Sequence, residues 1–511
     1  MGNISSAVTQ SAISRTVGYE LTIGQQLLSS PNLPVRIAIL GPANNANQTG
    51  LGANPQATSV TSAQQAADLY GAGSPIHQIM RILRPIQGGG VGPIPTVVYP
   101  QVEASGATGT TIDVDVTGTA NKNISHRLII NGRDNVDGEI YEFTVLTTDN
   151  AAAIRQKIID TVNAVVNAPV TASEVTNKAQ LATKWRGSTS AELTVSIDTR
   201  GDSAGLTYTV DNKVNGTGTE SITNALNQFG TNWNNIVINP YVADKFVELE
   251  TFNGTPFVTP ATGRYEGIEF RPFVALYGST ESDRTTIETE TGAAARRTQP
   301  TNVLCPAPNS AGYTWEAAAN VALIVANIAQ NTPHLAYGGQ SYSDMPVPAD
   351  GIIGDMESYV NRDSLAKNGS STVQLVDGKY QIQELVTTFR PTGSVNPAYR
   401  YVRDLFVHWN IAFGYKLREA RVVRDKTIAP DDATVVVNDV VKFKEWRAEI
   451  FEYADDLAQR ALISSADNMK ESIVIGFGTS NPNRIETAFS YNTTGVARIS
   501  STTAEANFTF N

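Results

Sequence analysis

Gly201-Asp202-Ser203-Ala204-Gly205 is the stretch that could spell a nucleophile, because it matches G-x-S-x-G, the elbow that lifts a serine hydroxyl between a strand and a helix. That chemistry needs a helix after the turn and a histidine to take the proton. Here SIDTR precedes the turn and LTYTV follows it, both alternating as strands do, so a hairpin loop accounts for the glycines. Downstream of Ser203 only His334 and His408 remain, and His408 lies in the apolar stretch RDLFVHWNIAF, which suits packing. A serine hydrolase using Ser203 stays only as an alternative. Gly88 to Gly92 (GGGVG) resembles a phosphate cradle, but no Lys-Ser or Lys-Thr follows, and Pro93 and Pro95 do, which reads as a flexible loop. The lone Cys305 and four scattered histidines give neither an internal disulfide nor a zinc spacing. The Asp and Glu residues are scattered, so the sequence assigns no carboxylate pair to acid and base roles. No catalytic, cofactor-binding or metal residue is assigned, no cofactor is expected, and the expectation is a protein that is not an enzyme. A different kind of chemistry is suggested by Arg400, Arg403, Lys416, Arg418, Arg421, Arg424 and Lys426, which concentrate positive charge in an acidic chain. Such a run is either a solvated helix face or a surface that docks on an acidic protein.

Composition narrows the classes. The 511 residues exceed one core's usual size, so about two to four domains are expected. A net charge of −11 lacks the electrostatic footprint of nucleic-acid binding. Only 17% of residues are charged, below the roughly 25% of average domains, so much of the surface is Ser, Thr, Asn, Gly and Gln and suits packing against neighbours. No basic and apolar leader opens the sequence, and no stretch reaches the roughly 18 apolar residues of a membrane span, so a soluble protein made in the cytosol is expected. Met1-Gly2-Asn3-Ile4-Ser5-Ser6 fits the loose N-myristoylation pattern, without a polybasic stretch behind it.

The elements that would hold these residues follow from periodicity. Residues 1–34 alternate Ser, Thr and apolar positions and read as an extended arm. Val35 to Leu40 is a buried strand, followed by a loop through Gln56, helices over Ser62 to Tyr70 and Ser74 to Leu83, and a strand over Val97 to Tyr99. From Ser105 the pattern switches to period two, with strands at 127–130, 141–146, 192–197 and 206–210 around a helix over Asn150 to Val166, and a turn-rich return over 211–221. The core resumes with strands at 235–239, 273–277 and 301–305 and a helix over Thr314 to Gln330, with Thr314 as its cap. Beyond Asp350, Asp377-Gly378 signals a type I′ hairpin between 373–376 and 380–385. Helices over 399–419 and 442–466 come next, then strand patterning through residues 471–511. The fold class is α/β: a mainly parallel-sheet core (35–104 and 222–349) with an inserted small α+β domain (105–221), a C-terminal α+β domain (350–490), and extended arms at 1–34 and 491–511.

Four segments together resemble the Mu-like tail sheath family of contractile phage tails. They are RLIINGR through WRGSTSAELTVSID (127 to 198), ALNQFGTNWNNIVINPYVAD (225 to 244), PAPNSAGYTWEAAANVALIVANIAQNTPHLAYGG with PVPADG (to 351), and TTFRPTGSVNPAYRYVRDLFVHWNIAFGYKLRE. Their order is collinear with the family over residues 35 to 430, whereas the loops of 251–291 depart from it. The resemblance implies a subunit that polymerises helically around an inner tail tube and contracts to drive that tube through a target envelope. Its implied partners are other copies of itself, the tail tube protein, and baseplate and tail terminator proteins, with no direct nucleic acid and no stable membrane binding. Its place would be the virion tail, assembled in the host cytoplasm. It also implies arms that donate strands to neighbours, here through Ile13, Val17 and Leu21 and through Ile499, Phe508 and Phe510. The acceptor is expected at Val373, Leu375, Tyr380 and Ile382, tube docking at Lys416, Arg418, Arg421 and Arg424, and the inserted domain on the outside. A static structural or adhesive virion protein is the alternative of the same surface character.

Overall fold

The computed structural model describes residues 32–504 apart from 293–295, 391–398 and 479–480. The apolar run at Val35 becomes β1 (Ile37–Pro42), buried at every position. The expected loop through Gln56 instead contains α1 (Asn45–Leu51), which buries no residue and therefore shows no apolar stripe in the sequence; β2 (Thr58–Ser59) follows it. α2 (Ala63–Tyr70) starts where Ser62 Oγ accepts the Gln65 N–H, and α3 (Pro75–Leu83) where Ser74 Oγ accepts the His77 N–H with Pro75 in the first turn. β3 (Thr96–Gln101) pairs parallel with β1.

Between Gln101 and Thr223 the chain leaves this sheet. β4 (Thr111–Gly118), β5 (Ile124–Ile130), β6 (Asn135–Val136), β7 (Glu139–Ile140) and β8 (Glu142–Val145) lead to α4 (Ala151–Ala164), capped by Asn150. β9 (Val170–Val175), β10 (Lys178–Thr183), β11 (Val195–Asp198) and β12 (Leu206–Val214) follow. The ladders are antiparallel and form two larger sheets, β12-β4-β10-β9 and β11-β5-β8, with β6 and β7 paired as a separate ribbon. Ile154, Ile158 and Val162 of α4 share a core with Val114, Leu128, Phe143 and Leu181, as the helical spacing predicts. Two expectations are corrected here. β12 runs on to Val214, past the start expected for the turn-rich return. The strands on either side of Gly201–Gly205 form no hairpin either, because β11 and β12 belong to different sheets.

α5 (Thr223–Asn227) brings the chain back to β13 (Ile236–Ile238), α6 (Phe246–Asn253), β14 (Val274–Ser279), α7 (Arg284–Thr291), β15 (Asn302–Pro306) and α8 (Thr314–Asn331). The resulting sheet has the order β15-β14-β13-β1-β3-β2 and is parallel except at β2. Ala38, Leu40, Val97, Val237 and Ala275 meet Ala225, Leu226, Phe229 and Leu249 on one face, while α3 and α8 pack against the strands from the other. Thr314 is the first residue of α8 and Tyr313 stands at the cap, with its N–H donated to Glu316 at 3.2 Å. Gly278 is required beside this helix start: a Cβ there would lie 1.8 Å from the Thr314 carbonyl oxygen.

α9 (Tyr359–Lys367), β16 (Thr372–Val376), β17 (Lys379–Glu384) and α10 (Val402–Val422) complete the first part of the chain. Two compact units result, one of Leu33–Ile411 with Thr493 and the residues after it, the other built on Ala412–Asn492. The division falls at Ile411 rather than at residue 350, so residues 350–411 pack with the core unit. The second unit holds β18 (Thr427–Ile428), β19 (Val440–Val441), α11 (Phe443–Gln459), α12 (Ala466–Glu471), β20 (Val474–Gly478) and β21 (Asn481–Ala488). The helix expected over 442–466 stops at Gln459, where Ala461 takes a left-handed φ of 54° and Ser465 caps a new helix. No strand follows Ala488 among the described residues, and none of their helices is long and apolar enough to cross a membrane.

Candidate functional site

The fold answers the hydrolase question at Ser203. Its turn is held by left-handed residues Arg200, Gly201, Ala204 and Gly205, and no helix follows. The histidine brought near it is His126, fully buried. Both its ring nitrogens are engaged, Nδ1 with the Tyr208 hydroxyl at 2.7 Å and Nε2 with the Asp202 carbonyl at 2.9 Å. His126 thus braces the turn and is not free to act as a base for Ser203. Cys305 is buried in β15, and burial pushes its thiol well above the ordinary range, away from the reactive thiolate. In doubly wound sheets a ligand crevice opens at the carboxyl ends where the strand order reverses, here between β1 and its neighbours. That place is filled: Gln101 Oε1 accepts the Gly41 N–H at 2.5 Å and the Tyr241 hydroxyl at 2.8 Å, and all three residues are buried.

Assembly surfaces are therefore the site to build. The Asp377-Gly378 hairpin forms as predicted, with φ of 50° and 70° at its two turn residues. One of its two edges, that of β17, already has a partner within the chain. The outward groups of β17 are already paired: Gly339 N–H donates to the Ile382 carbonyl, Ile382 N–H to Gln340, and Tyr342 N–H to Tyr380, at 2.8 to 2.9 Å. Val373, Tyr380 and Ile382 are fully buried, and the Tyr380 hydroxyl is tied to Pro308; Leu375 is half-buried. The segment after Asn492 is anchored to the same unit, because Arg403 donates to the Thr494 carbonyl at 2.7 Å and Arg498 pairs with Glu384 at 3.3 Å and stacks 3.7 Å over Tyr401. Ile499, just past that anchor, is 81% exposed. Ile13, Val17, Leu21, Phe508 and Phe510 lie outside the described residues.

A second hairpin, in the Ala412–Asn492 unit, leaves both of its edges without a strand partner among the described residues. β20 and β21 pair only with each other among the described residues. One side rests on helix α11 through Trp446 Nε1 to Thr487 Oγ1 at 3.0 Å and Phe443 against Phe477 at 4.7 Å, while Phe477 stays 51% exposed. A groove of about 720 Å³ lined by Tyr415, Glu419, Trp446, Val474, Arg484 and Ile485 runs along it. Isolated two-stranded ribbons are marginal in water, and an exposed ladder edge is a template for another strand.

The basic run is spent mainly inside the protein. Arg400 donates to the last carbonyls of α9, Ala366 and Lys367, and Arg403, 2% exposed, reaches His334 and Asp404 besides Thr494. Arg418 is buried, pairs with Glu449 at 2.6 Å and sits 5.0 Å over the Tyr453 ring; Arg421 turns to the same Glu449. Arg424 lies 3.8 Å from Glu419, and Lys416 is half-buried. Only Arg421 and Arg424, near 60% exposed, present their charge outward among the four residues expected to dock.

The sequence did not reveal the seat between the inserted domain and the core. Arg133 of the insert reaches Glu316 of α8 at 3.2 Å and Asp344 at 2.5 Å. Glu192 accepts both the N–H and the hydroxyl of Thr314 at 2.7 Å, placing a carboxyl at the start of α8. Trp185 of the insert meets Trp315 at 5.9 Å and Tyr313 at 5.8 Å. Burial pushes Glu192 up to about 7, against the hydrogen bonds from Thr314, and raises Glu316 against the pull of Arg133. The available signal was WRGSTSAE followed far downstream by YTWE, two aromatic and acidic clusters of unknown register.

Comparisons with known proteins agree with the resemblance read from the sequence. No family model matches the chain. It is 22% identical over 460 residues to the Mu-like prophage FluMu tail sheath protein of Haemophilus influenzae, across 88% of this chain and 89% of that protein. Among solved structures, a sheath tail protein from Desulfitobacterium hafniense is 11% identical, covers 93% of this chain and all of its own, and has a TM-score of 0.43. The anti-feeding prophage baseplate is 8% identical, covers 98% of this chain and all of the matched one, and has a TM-score of 0.41.

Proposed function

We propose that this chain, similar to a Mu-like tail sheath protein along nearly its whole length, is a sheath subunit of a contractile tail. The observation that carries the reading is the collinear match over 460 residues, which takes in almost all of both chains. Copies polymerise helically around an inner tube, and the polymer shortens and widens to drive the tube through an envelope. Heterologous contacts that do not close give a helical polymer, and strands added at open edges make such contacts by main-chain pairing. The β20–β21 hairpin is the acceptor we favour over the 373–382 hairpin, whose β17 edge is filled. The donors are the arm beyond the Arg498 anchor, with Phe508 and Phe510, and the N-terminal arm with Ile13, Val17 and Leu21. The inserted domain faces outward, and Arg421 and Arg424 face the tube. Baseplate and terminator proteins bound the polymer, and assembly takes place in the host cytoplasm. The machine runs on energy stored in subunit contacts.

Energetics require more than main-chain pairing. A donated strand gains about five hydrogen bonds at about 1 kcal/mol net each, while ordering costs about 1 to 2 kcal/mol per residue. Apolar side chains must supply the difference, at up to about 3 kcal/mol for each buried phenylalanine, and repeated neighbours add avidity. The test is a truncation that keeps the Arg498 anchor and removes residues 499–511. The expected product has the melting temperature and circular dichroism of the full chain and sediments as monomers that form no polymer. Polymers as long and as regular as those of the full chain would overturn the strand-donor role.

A further inference from the structure

The chain enters the inserted domain through residues 102–110 and leaves it through 215–222, and these two crossovers are bridged where Thr108 and Thr217 exchange backbone hydrogen bonds at 3.0 and 3.2 Å. The same knot takes in the loop at Gly187, whose N–H donates to Thr108, and Ser188, whose N–H donates to Gly218. Asp244, on a core turn, accepts from the Thr219 and Ser188 hydroxyls at 3.0 and 3.4 Å. At the centre lies the carboxyl of Glu220. The residue is fully buried, and neither carboxyl oxygen has a hydrogen-bond partner in any other described residue. Gly187 makes the space, since a Cβ there would lie 2.4 Å from Glu220 Oε1.

We propose that Glu220 is a proton-operated lock on the insert: neutral, it stays in the knot and holds both crossovers closed, and ionised, it moves to water and frees the insert from its seat. An isolated carboxylate is costly to bury, whereas the neutral acid is tolerated. The charged groups around it give no rescue. Glu103 on the entering crossover has one carboxyl oxygen buried without a partner and the other turned to Arg186 at 3.4 Å. On the core side, Asp244 repels a second negative charge, and Lys245, the cation of that turn, is taken by Glu248 at 2.7 Å. The Tyr241 hydroxyl is given to Gln101. Burial, reinforced by Glu103 and Asp244, outweighs the pull of the residue's own backbone N–H and of Lys245 and pushes Glu220 up to about 7.

The sign follows from linkage. With its folded value above the unfolded one of about 4.5, the carboxyl holds its proton in the closed state, and closure weakens as pH rises from about 4.5 to about 7. The full effect is a factor of about 300 in the closed-to-open equilibrium, from 2.5 units of proton affinity. His77, lowered to about 4 mainly by burial, stays neutral over most of this window, whereas Glu192 titrates within it at the α8 seat. A difference between wild type and Glu220→Gln therefore isolates the lock. The experiment is hydrogen exchange of residues 102–110 and 215–222 between pH 5 and 8, corrected for intrinsic rates. Protection in the wild type should fall at least tenfold between pH 5 and 7 and level off above about 7, while Glu220→Gln should stay protected throughout. Glu103→Gln, which removes a like charge, should bring that levelling-off to lower pH. Equal pH profiles for wild type and Glu220→Gln overturn the proposal, and should neither variant fold, a flat wild-type profile overturns it alone.

Discussion

Replacing Arg133 by Met tests how the inserted domain is held. The Glu316 side chain is 4% exposed and that of Arg133 is 18% exposed, so the substitution keeps the aliphatic packing but strands a carboxylate in the protein interior. Removing one partner of such a pair costs about 3 to 5 kcal/mol. Asp344 is 49% exposed and adds at most about 1 kcal/mol. Arg133→Met should therefore lose about 3 to 5 kcal/mol, and Arg133→Met with Glu316→Gln should recover all but about 1 to 2, because the buried charge is gone. The coupling between the two sites should be at least about 2 kcal/mol. Trp185 and Trp315, 5.9 Å apart across this seat, make fluorescence in urea a local reporter of its opening. If Arg133→Met opens within about 0.5 kcal/mol of wild type, or if the double variant is no more stable than the single one, the pair does not hold the seat.

Three further outcomes follow, one at this seat and two around α10. Glu192, raised from 4.5 to about 7 chiefly by burial, binds its proton more tightly when folded, so it contributes stability at low pH that is lost as pH rises from 4.5 to 7. Glu192→Gln should flatten that slope by up to about 3 kcal/mol, read from urea midpoints across the window. In α10, Arg418→Glu sets two carboxylates together in a buried site and should lower the melting temperature of the chain sharply. Arg421→Glu with Arg424→Glu should leave melting within a degree or two and weaken only binding to tubes, measured by co-sedimentation.

What the sequence made legible was mostly local. Ser62, Ser74 and Asn150 announced their helices because an N-cap bonds only a few residues ahead. The hairpin at Asp377-Gly378 was legible because two adjacent residues must accept positive φ. Contacts between distant segments were not. Arg418 finds Glu449 31 residues away, so a run that looked like a charged surface is partly neutralised by a neighbouring helix. The outer edge of β17 is occupied by Gly339–Tyr342, which carries no strand pattern of its own. Glu220 sits in DNKVNGTGTES, a stretch that reads as a polar turn, and only the crossing of two linkers buries it.

The central claim is best tested by electron microscopy of the purified full chain, alone and with a tail tube, before and after mild urea or acid treatment. Hollow helical tubes that convert to a shorter, wider lattice while the subunits stay folded are the predicted result. Polymers that keep one length and diameter until the protein unfolds, or a closed small oligomer that never polymerises on tubes, would contradict a contractile sheath.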